Sequence, residues 1–420
     1  MNLRRTVFAA LALASLSALA AACTDPDPAG EPSDDGEEGD EYEPFDGGKA
    51  DGQGLGGAVT FSNNCTPGDR ITISAVGDVL LHSPLQQQAV ARKANDAFKS
   101  LWSPVTDLMQ RADVSYANME GPTAHGVISS GANATDPGFV FDNRVYGSYP
   151  QFNYHGTLEQ NLKDSGIDVV STANNHAMDR RALGADRTIE RLREVGLAYT
   201  GTRSRSEPNA AWYTVTDQKG FKLAWIACSF STNGIPDNEN QVLGCWNDET
   251  EIKGLIHQLN ATPGIDAVIV TPHWGVEYTA TPTADQRSLG KRFLEAGATL
   301  VLGSHPHVLE PWEKYKTADG REGFIIYSLG NFVSGQAQLA RRSTIMLYVG
   351  LTRTAQGQTV VNGVSYMPLI MNTHSGVRAV EAIDRAGGSV ESRAQTVRMF
   401  GTTNLVDPAA PLTTQHGTCN

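Results

Sequence analysis

Eight side chains in this 420-residue sequence are of types that bind and activate metal ions: Asp78, His82, Glu120, Asn175, His176, His273, His305 and His307. The chain has ten histidines, and five of them fall in this set. Carboxylate oxygens mixed with imidazole nitrogens suit zinc, manganese, iron or cobalt better than magnesium or calcium alone. A carboxylate such as Glu120 could bridge two ions, and two ions about 3.5–4 Å apart can activate water and stabilise charge on the group attacked. The strongest local signal is His305-Pro306-His307, where the proline restricts the backbone and two imidazoles two residues apart can turn toward one cluster. Asn175-His176 follows, an amide oxygen beside an imidazole directly after a buried run. Gly77-Asp78 alone reads equally as a turn after a strand, and His82 alone as a loop histidine, so His82 stands as an additional candidate ligand. Asp179, Glu277 and Asp285 read as structural or supporting groups. Arg144, Arg180, Arg181 and Arg203 are candidates for gripping an anionic substrate, with Arg180 and Arg181 nearest the motif, because guanidinium matches carboxylate and phosphate.

These residues need elements to hold them. The pattern predicts a strand over 71–76 ending in Gly77-Asp78, a helical stretch over 85–109 broken at Pro104, and a strand over 113–117 ending at Asn118-Met119-Glu120. A short helix over 158–165 closes at Gly166. A buried strand over 168–173 runs into Asn174-Asn175-His176, and an amphipathic helix over 181–195 stops at Gly196. Runs at 212–216 and 222–227 alternate around Lys219-Gly220 as a hairpin. The second half continues in the same style. A helix over 249–259 precedes a strand over 267–270 that leads to His273-Trp274-Gly275. Thr283 caps a helix to about residue 296, and a strand over 299–302 ends at Gly303-Ser304-His305-Pro306-His307. A strand over 324–327 ends at Ser328-Leu329-Gly330-Asn331-Phe332, and antiparallel strands follow over 345–352 and 360–370. This βα alternation with added hairpins makes the class α/β with mixed sheets. The polar motifs sit where strands stop, which is where ligands collect in open α/β folds.

Charge is unevenly placed. The formal net charge is −13, and residues 24–51 carry twelve acidic side chains against Lys49 alone. No basic stripe appears, which argues against nucleic-acid binding. Arg4 and Arg5, the apolar run 7–22 and the small residues before Cys23 read as an export signal of the lipoprotein kind, residues 1–22, with lipid carried on Cys23. Residues 23–64 read as an acidic, disordered tether, and residues 65–420 as the folded domain, with its core at about 71–373. The expected location is therefore outside the cytoplasm, anchored to an envelope membrane. Four further cysteines, Cys65, Cys228, Cys245 and Cys419, allow three pairings in an oxidising compartment. Cys228 with Cys245 brackets one loop, and Cys65 with Cys419 would then join the ends of the domain.

The ordered run from Gly77-Asp78 through Asn118-Met119-Glu120, Asn174-Asn175-His176-Ala177-Met178-Asp179 and His273-Trp274-Gly275 to Gly303-Ser304-His305-Pro306-His307 and Ser328-Leu329-Gly330-Asn331-Phe332 resembles the CapA family of poly-γ-glutamate capsule synthesis. It extends over roughly residues 71–373. The resemblance implies a calcineurin-like metallophosphoesterase fold, two packed mixed β-sheets flanked by helices. It also implies a ligand set of Asp78, Glu120, Asn175, His273, His305 and His307 for one or two divalent transition ions (Mn, Zn or Fe), with His176 as general acid. Phosphoesterases proper open with Asp-x-His and follow with a Gly-Asp run. Here the first motif is Gly77-Asp78 with His82 four residues on, and the second offers Glu120, so the first metal position is altered or a single ion binds. The function implied is capsule synthesis or export on an anionic polymer, with membrane proteins of capsule synthesis as candidate partners. A secreted metallophosphoesterase and a non-catalytic surface module that binds an anionic polymer are the alternatives.

Overall fold

The apolar residues of the core strands alternate between two different cores, and that alternation gives the layers. The computed structural model describes residues 55–92, 96–416 and 419. The expected signal segment, Cys23 and the tether up to residue 54 lie outside the described residues. The strands are β1 (Asp69–Leu80), β2 (Val114–Met119), β3 (Val169–Ser171), β4 (Ala198–Thr200), β5 (Tyr213–Gln218), β6 (Phe221–Ser229), β7 (Ala267–His273), β8 (Leu300–Leu302), β9 (Leu309–Lys316), β10 (Glu322–Leu329), β11 (Asn331–Ser334), β12 (Ser343–Arg353), β13 (Thr359–His374) and β14 (Val377–Ala382). The helices are α1 (Ser83–Ala91), α2 (Thr106–Met109), α3 (Thr157–Asp164), α4 (Arg181–Val195), α5 (Glu249–Asn260), α6 (Ala284–Glu295), α7 (Leu339–Arg342), α8 (Ile383–Ala386) and α9 (Val390–Phe400).

One sheet runs β14-β13-β12-β1-β2-β3-β4, with β11 alongside β1, and the other runs β5-β6-β7-β8-β10-β9. Inside the first, β1, β2, β3 and β4 are mutually parallel. Inside the second, β6, β7, β8 and β10 are parallel. Antiparallel strands flank both sets. Side chains on a strand alternate faces, so each strand feeds two layers. Ile71 and Ile73 of β1 and Leu300 and Leu302 of β8 fill the core between the sheets. Val76 and Val79 of β1 instead pack outward with Leu158, Leu162 and Leu192 of α3 and α4. Val301 and Ile325 face outward with Ile252, Ile256, Leu289 and Phe293 of α5 and α6. Tyr116 stacks on Trp225 across the inter-sheet core, centroids 5.6 Å apart. The result is helix, sheet, sheet, helix, the arrangement that the resemblance implies.

Local signals explain the element ends. Gly196 closes α4 in the left-handed conformation at φ 70°, which costs glycine nothing. Thr283 and Gln286 form a reciprocal capping box at α6. Lys219 and Gly220 both take positive φ and turn β5 into β6. Both disulfides are present, Cys65–Cys419 and Cys228–Cys245. No helix among the described residues is long and apolar enough to cross a membrane.

Two expectations need correction. The stretch 85–109 is not one helix broken at Pro104: α1 stops at Ala91, and α2 begins only at Thr106, after two short 3-10 turns. Residues 55–64 do not belong to a disordered tether. Val59 and Phe61 are buried in the inter-sheet core, and the Val59 N–H donates to Asn404 Oδ1 at 2.9 Å. Burying two such side chains is worth about 1.5–3 kcal/mol each, enough to hold a short segment that composition alone reads as unfolded.

Candidate metal centre

The carboxyl ends of the two parallel strand sets deliver nearly all of the expected residues to one place. Asp78 lies near the end of β1, Glu120 directly follows β2, Asn175 and His176 follow β3, His273 ends β7, and His305 and His307 follow β8. Two glycines make the approach of backbones feasible. A Cβ on Gly77 would fall 1.8 Å from the Gly330 carbonyl oxygen, and one on Gly303 would fall 1.9 Å from that of Tyr327. Any side chain there would push the ligand loops off the neighbouring strand. His305 and His307 both hold positive φ, 103° and 57°. That conformation is unfavourable for a side-chain-bearing residue and persists only where the surroundings impose it.

The side chains interlock around Glu120. Three sets offer ligand atoms that lie within 4.8 Å of one another: Asp78, Glu120 and His307; Glu120, His273 and His305; and Glu277, His305 and His307. Asp78 Oδ1 accepts from Asn118 Nδ2 at 2.8 Å, and Asp78 Oδ2 lies 3.1 Å from His307 Nδ1. Asn331 Oδ1 is 3.0 Å from the same imidazole nitrogen. On the other side, His273 Nε2 lies 2.9 Å from Asn175 Oδ1 and 3.5 Å from Glu120 Oε1. His273 Nδ1 lies 3.0 Å from Ser304 Oγ, which fixes the ring.

Unpartnered buried donors mark where a cation would sit. Both carboxylate oxygens of Glu120 are buried and lack a hydrogen-bond partner, and so is His305 Nδ1. An unpaired buried carboxylate is costly, more so than the 1–3 kcal/mol typical of a neutral group. Burial pushes the Glu120 carboxyl well above its ordinary range, and the negative fields of Asp78, Glu277 and Asp179 add to that. Burial, then the neighbouring imidazoles, push His273 and His305 well below theirs, so both are neutral with a lone pair available. Buried oxygen and nitrogen donors, of which Glu120 Oε1 and Oε2 and His305 Nδ1 have no hydrogen-bond partner, fit a divalent transition ion, with Glu120 placed to serve two positions.

His176 stands at the edge of this cluster. Its Nδ1 is 2.7 Å from Asp179 Oδ2, and Phe152 meets the ring edge-on at 4.8 Å. With Nδ1 committed to the carboxylate, Nε2 is the atom able to pass a proton. Phe230 lies over His305 at 4.4 Å and borders a polar cleft of about 280 Å³ lined by Ser229, Ser231, Thr232, Asp237 and Asn240.

Other expected residues lie apart. His82 is buried, yet it belongs to none of the three ligand sets. Its Nδ1 accepts from the Gly335 N–H at 3.1 Å, and its ring meets Phe152 edge-on. Arg180 is buried and donates to the carbonyls of Gln151, Asp179 and Val145, so its guanidinium holds the loop and is not offered to a substrate. Arg203 lies over the Trp212 ring and donates to the Asn240 carbonyl. Arg144 is exposed. Arg181 is half-buried, with one buried Nη1 lacking a partner. Sequence reasoning set Glu277 aside as structural, whereas its carboxylate joins His305 and His307. No spacing signal marks it, because β7 ends before it and only the fold turns it inward.

With this geometry established, likeness to known proteins becomes informative. The model of the bacterial capsule synthesis protein PGA_cap family matches residues 72–336. This chain belongs to that family. The capsule biosynthesis protein CapA of Bacillus anthracis is 27% identical over 279 residues, covering 64% of this chain and 61% of that protein. The chain therefore spans about three fifths of that relative's length. The PGA biosynthesis protein CapA of Bacillus subtilis (strain 168) is 27% identical over 307 residues, covering 69% of this chain and 70% of that protein. Among solved structures, TT1561 of Thermus thermophilus overlaps 70% of this chain and 98% of its own length at 11% identity and a TM-score of 0.35, too loose a superposition to carry an assignment. The PGA_cap segment contains every member of the three ligand sets as well as His176.

Proposed function

We propose that this chain acts at the cell surface in the synthesis, export or release of an anionic capsule polymer of the poly-γ-glutamate type, through a centre of one or two divalent transition ions (Mn, Zn or Fe). What carries the reading is the convergence of three overlapping ligand sets on His305, His307 and the buried carboxylate of Glu120, whose oxygens have no hydrogen-bond partner. Two relatives named for capsule or PGA biosynthesis support the substrate class. A bound ion would polarise the carbonyl or phosphoryl group under attack and activate water. The chain's own residues do the rest. Asp179 holds His176 through Nδ1, and Nε2 gives its proton to the departing group. Phe152 packs edge-on against His176 and Phe230 lies against His305, so each ring borders one imidazole of the site. Cys23 would carry the lipid that keeps the domain at an envelope membrane, beside membrane proteins of capsule synthesis.

A second reading, a secreted metallophosphoesterase, draws on the same His176–Asp179 pair, which would serve an alkoxide leaving group as well as an amine. The experiment is to load the full chain with Mn²⁺ or Zn²⁺, dialyse it, and count ions per chain beside a His305→Ala, His307→Ala double variant. About one or two ions in the parent and a clear loss in the variant are expected. A parent that stays folded and metal-free sinks the catalytic reading and leaves a polymer-binding module. Turnover of a γ-glutamyl polymer against an aryl phosphodiester then separates the two enzymatic readings.

A further inference from the structure

Arg341 lies on α7, five residues beyond the segment that the family model matches. It is only 5% exposed. Its guanidinium carbon sits 3.3 Å from the centroid of the Tyr278 ring. The buried Nε has no partner, and the guanidinium makes no hydrogen bond or ion pair with any other described residue. Arg180 is the instructive contrast, equally buried but bonded to three backbone carbonyls. The ring beneath stabilises the guanidinium only in part, because the buried Nε has no acceptor and the rest of the fork has none among the described residues. A buried cation in this condition lacks an anion.

Its position says where that anion would sit. The Tyr278 ring is 6.1 Å from the His307 ring, so the guanidinium lies no farther from that imidazole than the two steps together. The Tyr278 N–H donates to the Pro306 carbonyl at 2.8 Å, between the two ligand histidines. The Arg341 carbonyl accepts from Asn331 Nδ2 at 2.9 Å, and Asn331 Oδ1 is 3.0 Å from His307 Nδ1. Gln336 accepts from the same Asn331 amide and donates to the Tyr278 hydroxyl. The platform is thus fastened both to the His-Pro-His loop and to the asparagine that orients His307. Glu277, the nearest acid in sequence to Tyr278, is turned toward His305 and His307 instead.

We propose that Arg341, held over the Tyr278 ring, is the oxyanion-recognition residue of this centre and grips a carboxylate or phosphate of the substrate beside the group that reacts. The proposal rests on the reading of the cluster as an active centre. A bidentate grip on the side-chain carboxylates of an anionic polymer would orient the chain across His307, and a phosphate would fit the same fork.

Calorimetric titration of the full chain with inorganic phosphate and, separately, with glutarate, each with and without Mn²⁺, tests it. At least one of the two anions binds the parent, and which one binds identifies the source of the oxyanion. Arg341→Gln weakens that anion by at least about tenfold, the equivalent of one charge-assisted hydrogen bond, and leaves the Mn²⁺ content unchanged. Arg341→Lys restores only part of the affinity, because the charge returns without the fork. Near-UV circular dichroism checks folding, and if the glutamine variant does not fold, the lysine variant decides by the same loss. Anion affinity that is indifferent to Arg341 in a folded variant overturns the proposal, as does a parent that binds neither anion. Arg341-dependent anion binding in a chain that holds no Mn²⁺ would sink the metal reading while sustaining this one.

Discussion

Glu120 and Glu159 are both fully buried, and burial pushes both carboxyls up, yet the two regions resolve the problem in opposite ways. Glu159, on α3, takes a hydrogen bond from the Thr123 hydroxyl, and burial holds its carboxyl at about 8. It therefore carries its own proton at neutral pH, and the neutral acid is content in an apolar layer. Glu120 has no hydroxyl or amide against it. It faces His273 Nε2 at 3.5 Å and His307 Nε2 at 3.8 Å, too far for good hydrogen bonds and disposed as ligands to a common centre would be. The lesson is that burial alone does not mark a functional carboxylate. The mark is a shell of lone-pair donors that no proton can satisfy all at once.

The sharpest break of this comparison is Glu120→Gln. It removes the ligand that two of the three sets share, so metal affinity should fall by at least about 100-fold, no less than disturbing a supporting residue costs. The metal-free protein should be no less stable than the parent, because an amide replaces a carboxyl that burial penalises. Elemental analysis and thermal unfolding of the two proteins without metal check both halves. Full metal retention by the glutamine variant would show that Glu120 is another Glu159.

How much of this was legible in the sequence differs between elements and environments. The strand-end motifs were readable because a β-rich run followed by Gly-Asp, Asn-His or His-Pro-His changes character abruptly; β3 and β8 stop just before theirs, whereas β1 carries Gly77-Asp78 within it and runs on to Leu80. β9 was missed because Leu309–Lys316 holds Pro311 and four charged residues, the composition of an edge strand without clean alternation. β11, four residues long, is too short for a period to show. Val59 and Phe61 were lost in an acidic, glycine-rich stretch, since two apolar residues do not announce that a core waits for them. In the site, residue types were readable and surroundings were not. An arginine beside a motif looks the same whether it faces a substrate or, like Arg180, three carbonyls. Arg341 drew no notice because the Tyr278 ring beneath it comes from 63 positions earlier in the chain.

Glu159→Gln sharpens the comparison from the other side, with a smaller effect. The unfolded carboxyl titrates near 4.5 and the folded one near 8. Below 4.5 the group is protonated in both states, and its contribution is fully present. As pH rises toward 8, the unfolded chain releases a proton that the folded chain keeps, and stability is lost. The parent should therefore lose up to about 1.4 kcal/mol per pH unit across that window from this group, and the glutamine variant should lack that slope. Urea unfolding at several pH values between about 5 and 8 reads the difference. Metal content should stay at the parent's value. A variant whose slope matches the parent's would mean that Glu159 is ionised in the fold.

The smallest effect is expected at His82, which the sequence offered as a ligand and the fold treats more like Glu159. Its Nδ1 is engaged by the Gly335 N–H, and its ring supports Phe152, which in turn meets His176 edge-on. His82→Gln keeps a hydrogen-bonding side chain but loses the ring contact. Metal content should be unchanged and stability lower by about 1 kcal/mol, one modest packing and hydrogen-bonding loss. Because the contact runs through Phe152 to His176, a shift in the pH dependence of turnover with metal content intact would identify His82 as a support for the proton donor. Loss of metal on the scale of the His305→Ala, His307→Ala variant would instead move His82 into the centre and restore the longer first motif that the sequence suggested.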